Sequence, residues 1–116
     1  MKHGDKKRKF GLERKGRRAL LKSLANALVR DEKIVTTEAK AKELRPLIEK
    51  LVTKAKIASL ATRRLLSARL GSEVSAKRLV IDIAPRYKER AGGYTRITKI
   101  APRKSDASPQ AMIEFV

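Results

Sequence analysis

The stretch TTEAKAKELRPLIEKLVTKA, residues 36–55, decides the fold. Its apolar residues recur at intervals of three and four, which places them along one face of a helix. They are Ala41, Leu44, Ile48, Leu51 and Ala55. Thr37 is suited to cap the N-terminus of this helix, and Glu38 lies in its first turn near the positive end of the helix dipole. Because the apolar stripe keeps its phase across Pro46, the pattern predicts one kinked helix rather than two.

Shorter elements are predicted on both sides of this helix. Leucines that repeat every four residues from Leu20 to Leu28 predict an earlier helix, and the β-branched residues 34–36 predict a strand between the two. After residue 55, a short helix carries Arg63 and Arg64 and stops at Gly71. A further helix begins at Ser72 and ends at Pro85. Its predicted inner face consists of Val74, Leu79, Val80 and Ile83.

The last quarter of the chain predicts two strands. Residues 94–100 and 112–116 are rich in β-branched and apolar side chains, and residues 101–109 form the loop of a hairpin because they contain two prolines. With the earlier strand they give an α/β fold of the α+β type. Its small three-stranded mixed sheet packs against three to four helices and follows a basic extended N-terminal arm. We therefore divide the chain into an arm, 1–15, and a single domain, 16–116.

Charge is the main functional signal. The 116 residues contain 30 Lys and Arg against 12 Asp and Glu, a formal net charge of +18. A polyanionic partner would relieve the self-repulsion of so many like charges in a small domain. RNA, DNA and an anionic membrane surface are the possible polyanions. The membrane is the weakest of the three, because no apolar run approaches the roughly 20 residues that span a bilayer and tryptophan is absent.

Catalysis and cofactor binding have little support in the sequence. There is no cysteine and one histidine, His3, which lies in the charged arm. No phosphate-binding loop, zinc motif or nucleophile elbow occurs, so we expect no enzyme activity, no metal, no cofactor and no small-molecule substrate. The basic N-terminus lacks the apolar segment of an export signal, and we expect a cytoplasmic protein.

The cations fall into three clusters: residues 1–18, the acid-free segment 54–69, and residues 86–104. A single charge run is usually a solvated face, whereas three clusters in a short chain favour a nucleic acid that surrounds the protein. For the arm, a solvated tail is the alternative to a segment that lies in nucleic-acid grooves. Two further alternatives remain open: Tyr87 and Tyr94 either pack in the core or stack on a base, and Gly92-Gly93 either turns the chain or lets phosphates approach the backbone.

Several ordered motifs resemble the bacterial large-subunit ribosomal protein seventeen (L-seventeen) family over nearly the whole chain. The matching segments are MKH at 1–3, TTEAKAKELR at 36–45, RRL at 63–65, APRY at 84–87, GGYTRI at 92–97 and IEFV at 113–116. Two departures are local. RKGRR at 14–18 replaces the family's Ser-x-His-Arg run, which keeps the charge without the histidine, and Ser105 replaces a loop glycine.

The resemblance implies a protein that binds large-subunit (23S-type) rRNA near the outer end of the peptide exit tunnel, beside other large-subunit proteins. Its role would be architectural, with phosphate contacts that hold rRNA helices in place. The candidate RNA-binding residues are Lys2, His3, Lys6, Lys7, Arg8, Lys9, Arg14, Lys15, Arg17, Arg18, Lys40, Arg63, Arg64, Arg86, Arg90, Gly92, Gly93, Tyr94 and Arg96.

Two other functions compete with this one. A nucleoid-associated DNA-binding protein would have the same charge, but neither a leucine zipper nor a helix-turn-helix is recognisable. An RNA-processing enzyme would need convergent acids, histidines or metal ligands, and the sequence does not supply them.

Overall fold

The computed structural model describes residues 14–116, which form four helices and a three-stranded sheet. The elements are α1 (Arg14–Asp31), β1 (Lys33–Thr37), α2 (Glu38–Ala55), α3 (Leu60–Leu70), α4 (Glu73–Arg78), a π-helical turn (Leu79–Ile83), a 3₁₀ turn (Ala84–Tyr87), β2 (Thr95–Ile100) and β3 (Gln110–Phe115). The predicted α+β class is confirmed. Residues 1–13 of the predicted arm lie outside the described part of the chain, and residues 14 and 15 belong to α1.

Helix α2 is the centre of the fold, as its apolar stripe predicts. It runs as one helix through Pro46, and its stripe residues are buried. The Thr37 hydroxyl accepts a hydrogen bond from the Lys40 backbone N–H at 3.3 Å and so caps the helix. The buried stripe packs against the inner face of the sheet, where Ala111 and Ile113 of β3 are fully buried.

The sheet has the order β1-β3-β2, and both pairs of strands are antiparallel. The hairpin of β2 and β3 is confirmed, but the predicted mixed sheet is wrong. The direction of β1 depends on packing, since about seventy residues separate it from β3. The Glu38 N–H, just after β1, donates to the Pro109 carbonyl, just before β3, at 3.0 Å. The end of β1 therefore meets the start of β3, which makes that pair antiparallel.

The segment after α3 differs from its prediction in two details. Pro85 does not end the helix: a π-helical turn precedes it, and a 3₁₀ turn continues to Tyr87. The Ala84 N–H donates to the Leu79 carbonyl, five residues back, and this wider spacing accommodates a proline that has no N–H to donate. Val74 is 79% exposed rather than on the inner face, because it lies in the first turn of α4, where Ala76 is buried instead.

Both tyrosines belong to the core. Tyr87 and Tyr94 are almost fully buried, with ring centroids 5.1 Å apart. The Tyr87 hydroxyl donates to the Val116 carbonyl at 2.6 Å, and the Tyr94 hydroxyl lies 3.0 Å from the Thr53 hydroxyl. Their polar ends are therefore satisfied inside the protein, as buried tyrosines require. Of the two alternatives for these rings, core packing is the one that the structure supports.

Glu32 ties α1 to the segment that follows α3. It has a left-handed backbone, φ +66°, directly after α1. Its carboxylate accepts hydrogen bonds from Arg78 at 2.9 Å and from Arg86. The Phe115 N–H donates to the Glu32 carbonyl at 3.1 Å. This residue thus connects α1, α4, the 3₁₀ turn and β3.

The Glu32 contacts predict a pH dependence of stability. The hydrogen bond from Arg86, with the charges of Arg86 and Arg78, lowers the pKa of Glu32 below its ordinary value of 4.5. The stabilisation is therefore complete above about pH 4.5 and is lost as the pH falls through the lower folded-state pKa. We expect Glu32→Gln to lower the melting temperature at about pH 6 and to have less effect at about pH 3. An equal effect at both values would contradict this assignment.

Candidate nucleic-acid interface

Helix α3 presents the arginines that the sequence singled out. The Ser59 hydroxyl caps its N-terminus by accepting from the Thr62 N–H at 3.1 Å, and Gly71 ends it in a left-handed conformation, φ +66°. Arg63, Arg64 and Arg69 are exposed, whereas Leu66 and Leu70 of the same helix are buried. None of the three arginines has an ion pair with any residue from 14 to 116. Their charge is therefore available to a polyanion.

Helix α1 adds a second set of cations. Arg14, Lys15 and Arg18 are exposed, as the predicted RNA contacts require. Arg17 differs, because its side chain is only 13% exposed and its guanidinium forms an ion pair with Glu43 of α2. Arg17 therefore connects two helices of the fold, while its neighbour Arg18 faces solvent.

The three longest helices meet at a groove of about 690 Å³. We call it the three-helix groove. It is lined by Arg17, Arg18, Leu21 and Lys22 of α1, Glu43, Pro46, Leu47 and Lys50 of α2, and Ala68 and Arg69 of α3. On α1 and α2 the lining residues recur every three or four positions, which is one face of each helix. The groove brings together five cations and one acid, and that acid is paired with Arg17.

Three of the groove cations were not among the predicted site residues: Lys22, Lys50 and Arg69. The absence of acids was the available signal, since residues 50–72 contain six Lys or Arg and no Asp or Glu. Lys22 lies outside that acid-free segment, and the sequence carries no comparable signal for it. Tertiary packing places Lys22 beside Gly71, and a Cβ added to Gly71 would lie 3.6 Å from the Lys22 Cδ. Nearby, Asn26 donates to the Leu70 carbonyl at 2.6 Å and joins α1 to the end of α3.

The predicted cluster at residues 86–104 is largely engaged within the protein. Arg86 pairs with Glu32, and Arg96 pairs with Glu114 at 2.6 Å. The Arg90 guanidinium lies 5.3 Å from the centre of the Tyr87 ring and donates to the Gly93 carbonyl at 3.1 Å. These side chains remain partly exposed, but nearby carboxylates offset the charges of Arg86 and Arg96. The cluster therefore offers a polyanion less charge than its sequence suggests.

Glu49 holds the turn at Gly92-Gly93, which we call the glycine corner. Its carboxylate accepts hydrogen bonds from the Gly93 N–H at 3.0 Å, the Thr95 N–H at 3.0 Å and the Thr95 hydroxyl at 2.8 Å. Gly93 has φ +65°, a conformation that favours glycine, and a Cβ on either Gly92 or Gly93 would meet nothing within 4 Å. The positive φ that the turn requires explains why residue 93 is a glycine. The open space beside both glycines leaves their backbone accessible to a ligand.

The remaining candidate RNA-binding residues differ in their exposure. Lys40 is half-buried in the first turn of α2. Tyr94 is fully buried, so the expectation that its side chain contacts RNA does not fit the structure. Lys2, His3, Lys6, Lys7, Arg8 and Lys9 lie outside the described residues. Among residues 14–116 there is no group of metal-ligating side chains, and no helix there is long and apolar enough to cross a membrane.

Comparison with known proteins identifies the family. A family model described as ribosomal protein L17 matches residues 20–116. The chain belongs to the ribosomal protein L17 family. The resemblance seen in the sequence motifs is thereby confirmed.

Individual members of this family are similar over their full length. The chain is 48% identical over 116 residues to a protein of Wolinella succinogenes, with all of both chains covered. It is 47% identical over 109 residues to a protein of Desulforudis audaxviator, covering 94% of this chain and 97% of that one. It is 50% identical, with the same coverage, to a protein of Caldanaerobacter subterraneus. All three relatives are named large ribosomal subunit protein bL17.

Proposed function

We propose that this protein is a non-enzymatic structural component of the large ribosomal subunit, in the cytoplasm. It binds large-subunit (23S-type) rRNA through phosphate contacts and holds rRNA segments in their relative positions. Membership in the ribosomal protein L17 family and the names of its relatives support assembly into this subunit.

One observation carries the rRNA-binding part of the proposal. Six of the exposed cations on α1, α2 and α3 have no ion pair with any other residue from 14 to 116. They are Arg18, Lys22, Lys50, Arg63, Arg64 and Arg69. Fixed like charges without counter-charges repel one another, and phosphates relieve that repulsion while they release their own bound counterions.

The position near the peptide exit tunnel, beside neighbouring large-subunit proteins, is part of the same proposal. It rests on the family resemblance. Site-specific photo-cross-linking tests it. A cross-linker on an exposed residue such as Ala61 would be carried into subunits, and the attached rRNA and protein segments would be identified by sequencing and mass spectrometry. Cross-links confined to segments far from the tunnel exit would contradict this placement.

Arg63→Glu combined with Arg64→Glu is expected to weaken incorporation into large subunits while the melting temperature stays near that of the parent. Both side chains are exposed and unpaired among residues 14–116, and such surface changes usually alter stability by about 0.5 kcal/mol or less. The salt slope of binding to rRNA fragments should fall in magnitude by about two, one for each lost phosphate contact.

The matched control is Lys77→Glu with Lys88→Glu, which reverses two exposed cations that lie outside the groove and outside α3 and have no ion pair within residues 14–116. Incorporation is measured by sedimentation with ribosomes at moderate salt, followed by dissociation into subunits. A large loss of melting temperature in the α3 variant would make these arginines structural. Retention of the parent protein on DNA, and not on the large subunit, would favour a nucleoid-associated protein.

A further inference from the structure

The three-helix groove contains more than charge. Its lining also includes four apolar side chains: Leu21 of α1, Pro46 and Leu47 of α2, and Ala68 of α3. Leu21 and Leu47 are half-buried, while Pro46 and Ala68 are exposed. We call these four residues the apolar floor. Contact between apolar surface and water is unfavourable, so a ligand that covers the floor gains affinity that phosphate contacts do not provide.

Each of the three helices also contributes cations to the lining of the groove. Arg18 and Lys22 lie on α1, Lys50 on α2 and Arg69 on α3, and all four are exposed. The acid in the groove, Glu43, forms an ion pair with Arg17, and both side chains are largely shielded from solvent. The groove thus combines apolar side chains with a net positive charge.

A paired RNA helix does not match this arrangement. A duplex offers a protein surface mainly phosphates and riboses, because its bases are stacked inside. An unpaired nucleotide complements both kinds of side chain in the groove. The flat face of its base can contact the apolar floor, and the phosphate on each side of it can contact the cations. The volume of about 690 Å³ lies within the range of about 300–1,000 Å³ that is typical of small-molecule sites.

We propose that the three-helix groove binds one unpaired nucleotide of the rRNA, with its base on the apolar floor and its flanking phosphates at Arg18, Lys22, Lys50 and Arg69. This inference rests on the proposed function and adds the kind of RNA element that is recognised. Phosphate contacts alone carry no sequence or structure preference, whereas a seat for an unpaired base selects a bulge, a loop or a strand end.

Two RNA hairpins test the proposal. They share one stem and one compact tetraloop whose bases stack and pair with one another, so that the loop of neither hairpin offers an unpaired base. One of the two hairpins has in addition a single unpaired adenosine in the middle of the stem. We expect the full-length protein to bind the bulged hairpin at least about fivefold more tightly, the lower end of what one base on a side-chain platform contributes. Equal affinity for the two hairpins would overturn the assignment.

The variant Ala68→Trp separates the floor from the charges. Ala68 is exposed, so the indole fills the groove without displacing core residues or changing the net charge. The preference for the bulged hairpin should disappear, while affinity for the paired hairpin and its salt slope should remain. Ala61→Trp, at an exposed alanine on the same helix outside the groove, is the matched control and should keep the preference.

The other outcomes are also decisive. If Ala68→Trp lowers the melting temperature, Ala68→Gln replaces it as a helix-compatible neutral side chain with the same expected result. A preference that survives both variants would overturn the proposal. Failure of the parent protein to bind either hairpin would instead contradict the proposed rRNA binding itself. If the hairpins bind equally and Ala68→Trp alone impairs subunit incorporation, the groove takes a segment of a neighbouring protein.

Discussion

Replacing Arg18, Lys22, Lys50 and Arg69 together with glutamine is expected to lower the affinity for rRNA fragments by about 10³-fold at roughly 0.1 M salt. Each cation that neutralises one phosphate contributes about 0.9 to the salt slope, so the loss of four contacts should reduce its magnitude by about 3.6. The four side chains are exposed and unpaired within residues 14–116, and the fold should therefore remain intact. Filter-binding titrations over a range of salt concentrations measure both quantities.

The control removes the same amount of charge elsewhere. Glutamine replaces four other exposed cations that are not groove residues and have no ion pair within residues 14–116: Lys33, Lys77, Lys88 and Lys104. We expect the control to lose far less affinity than the groove variant. Equal losses would mean that total charge, and not this surface, governs binding.

Glu49→Ala is expected to lower the free energy of unfolding by about 3 kcal/mol, which is roughly 10–20 °C in melting temperature for a domain of this size. The substitution removes three hydrogen bonds to one carboxylate and leaves the buried Thr95 N–H without its acceptor. Native-state hydrogen exchange should show faster exchange at the Gly93 and Thr95 amides. Thermal unfolding by circular dichroism measures the overall loss.

Two variants test whether the hydrogen bonds are responsible. Glu49→Gln keeps one acceptor oxygen and should lose about half as much stability. Glu89→Ala changes the net charge by the same amount at an exposed residue that has no ion pair within residues 14–116, and it should alter stability by about 0.5 kcal/mol or less. If Glu89→Ala is as destabilising as Glu49→Ala, net charge and not the glycine corner explains the effect.

Three acids that the sequence did not single out have specific partners in the structure: Glu32 binds Arg78 and Arg86, Glu43 binds Arg17, and Glu49 binds the glycine corner. Their partners are 26 to 54 residues away in the chain. Such pairs leave no periodic signal, because each depends on how separate helices and turns pack.

The sequence by itself determined the elements whose causes are local. The apolar stripe and Thr37 cap of α2, the left-handed Gly71 at the end of α3 and the hairpin of β2 and β3 follow from neighbouring residues and were predicted. The motifs that revealed the family and the excess of positive charge were also visible in the sequence. Local periodicity and capping are fixed within a few residues, and so they can be predicted without the rest of the fold.

Only the tertiary structure decided which of these features face a partner. It placed Tyr87 and Tyr94 in the core, paired Arg86 and Arg96 with acids, and left Arg63 and Arg64 unpaired within residues 14–116. It also set the direction of β1 and assembled the three-helix groove from separate helices. The physical reason is the same in each case. Burial, charge pairing and strand direction depend on contacts between distant segments, and composition and spacing do not encode those contacts locally.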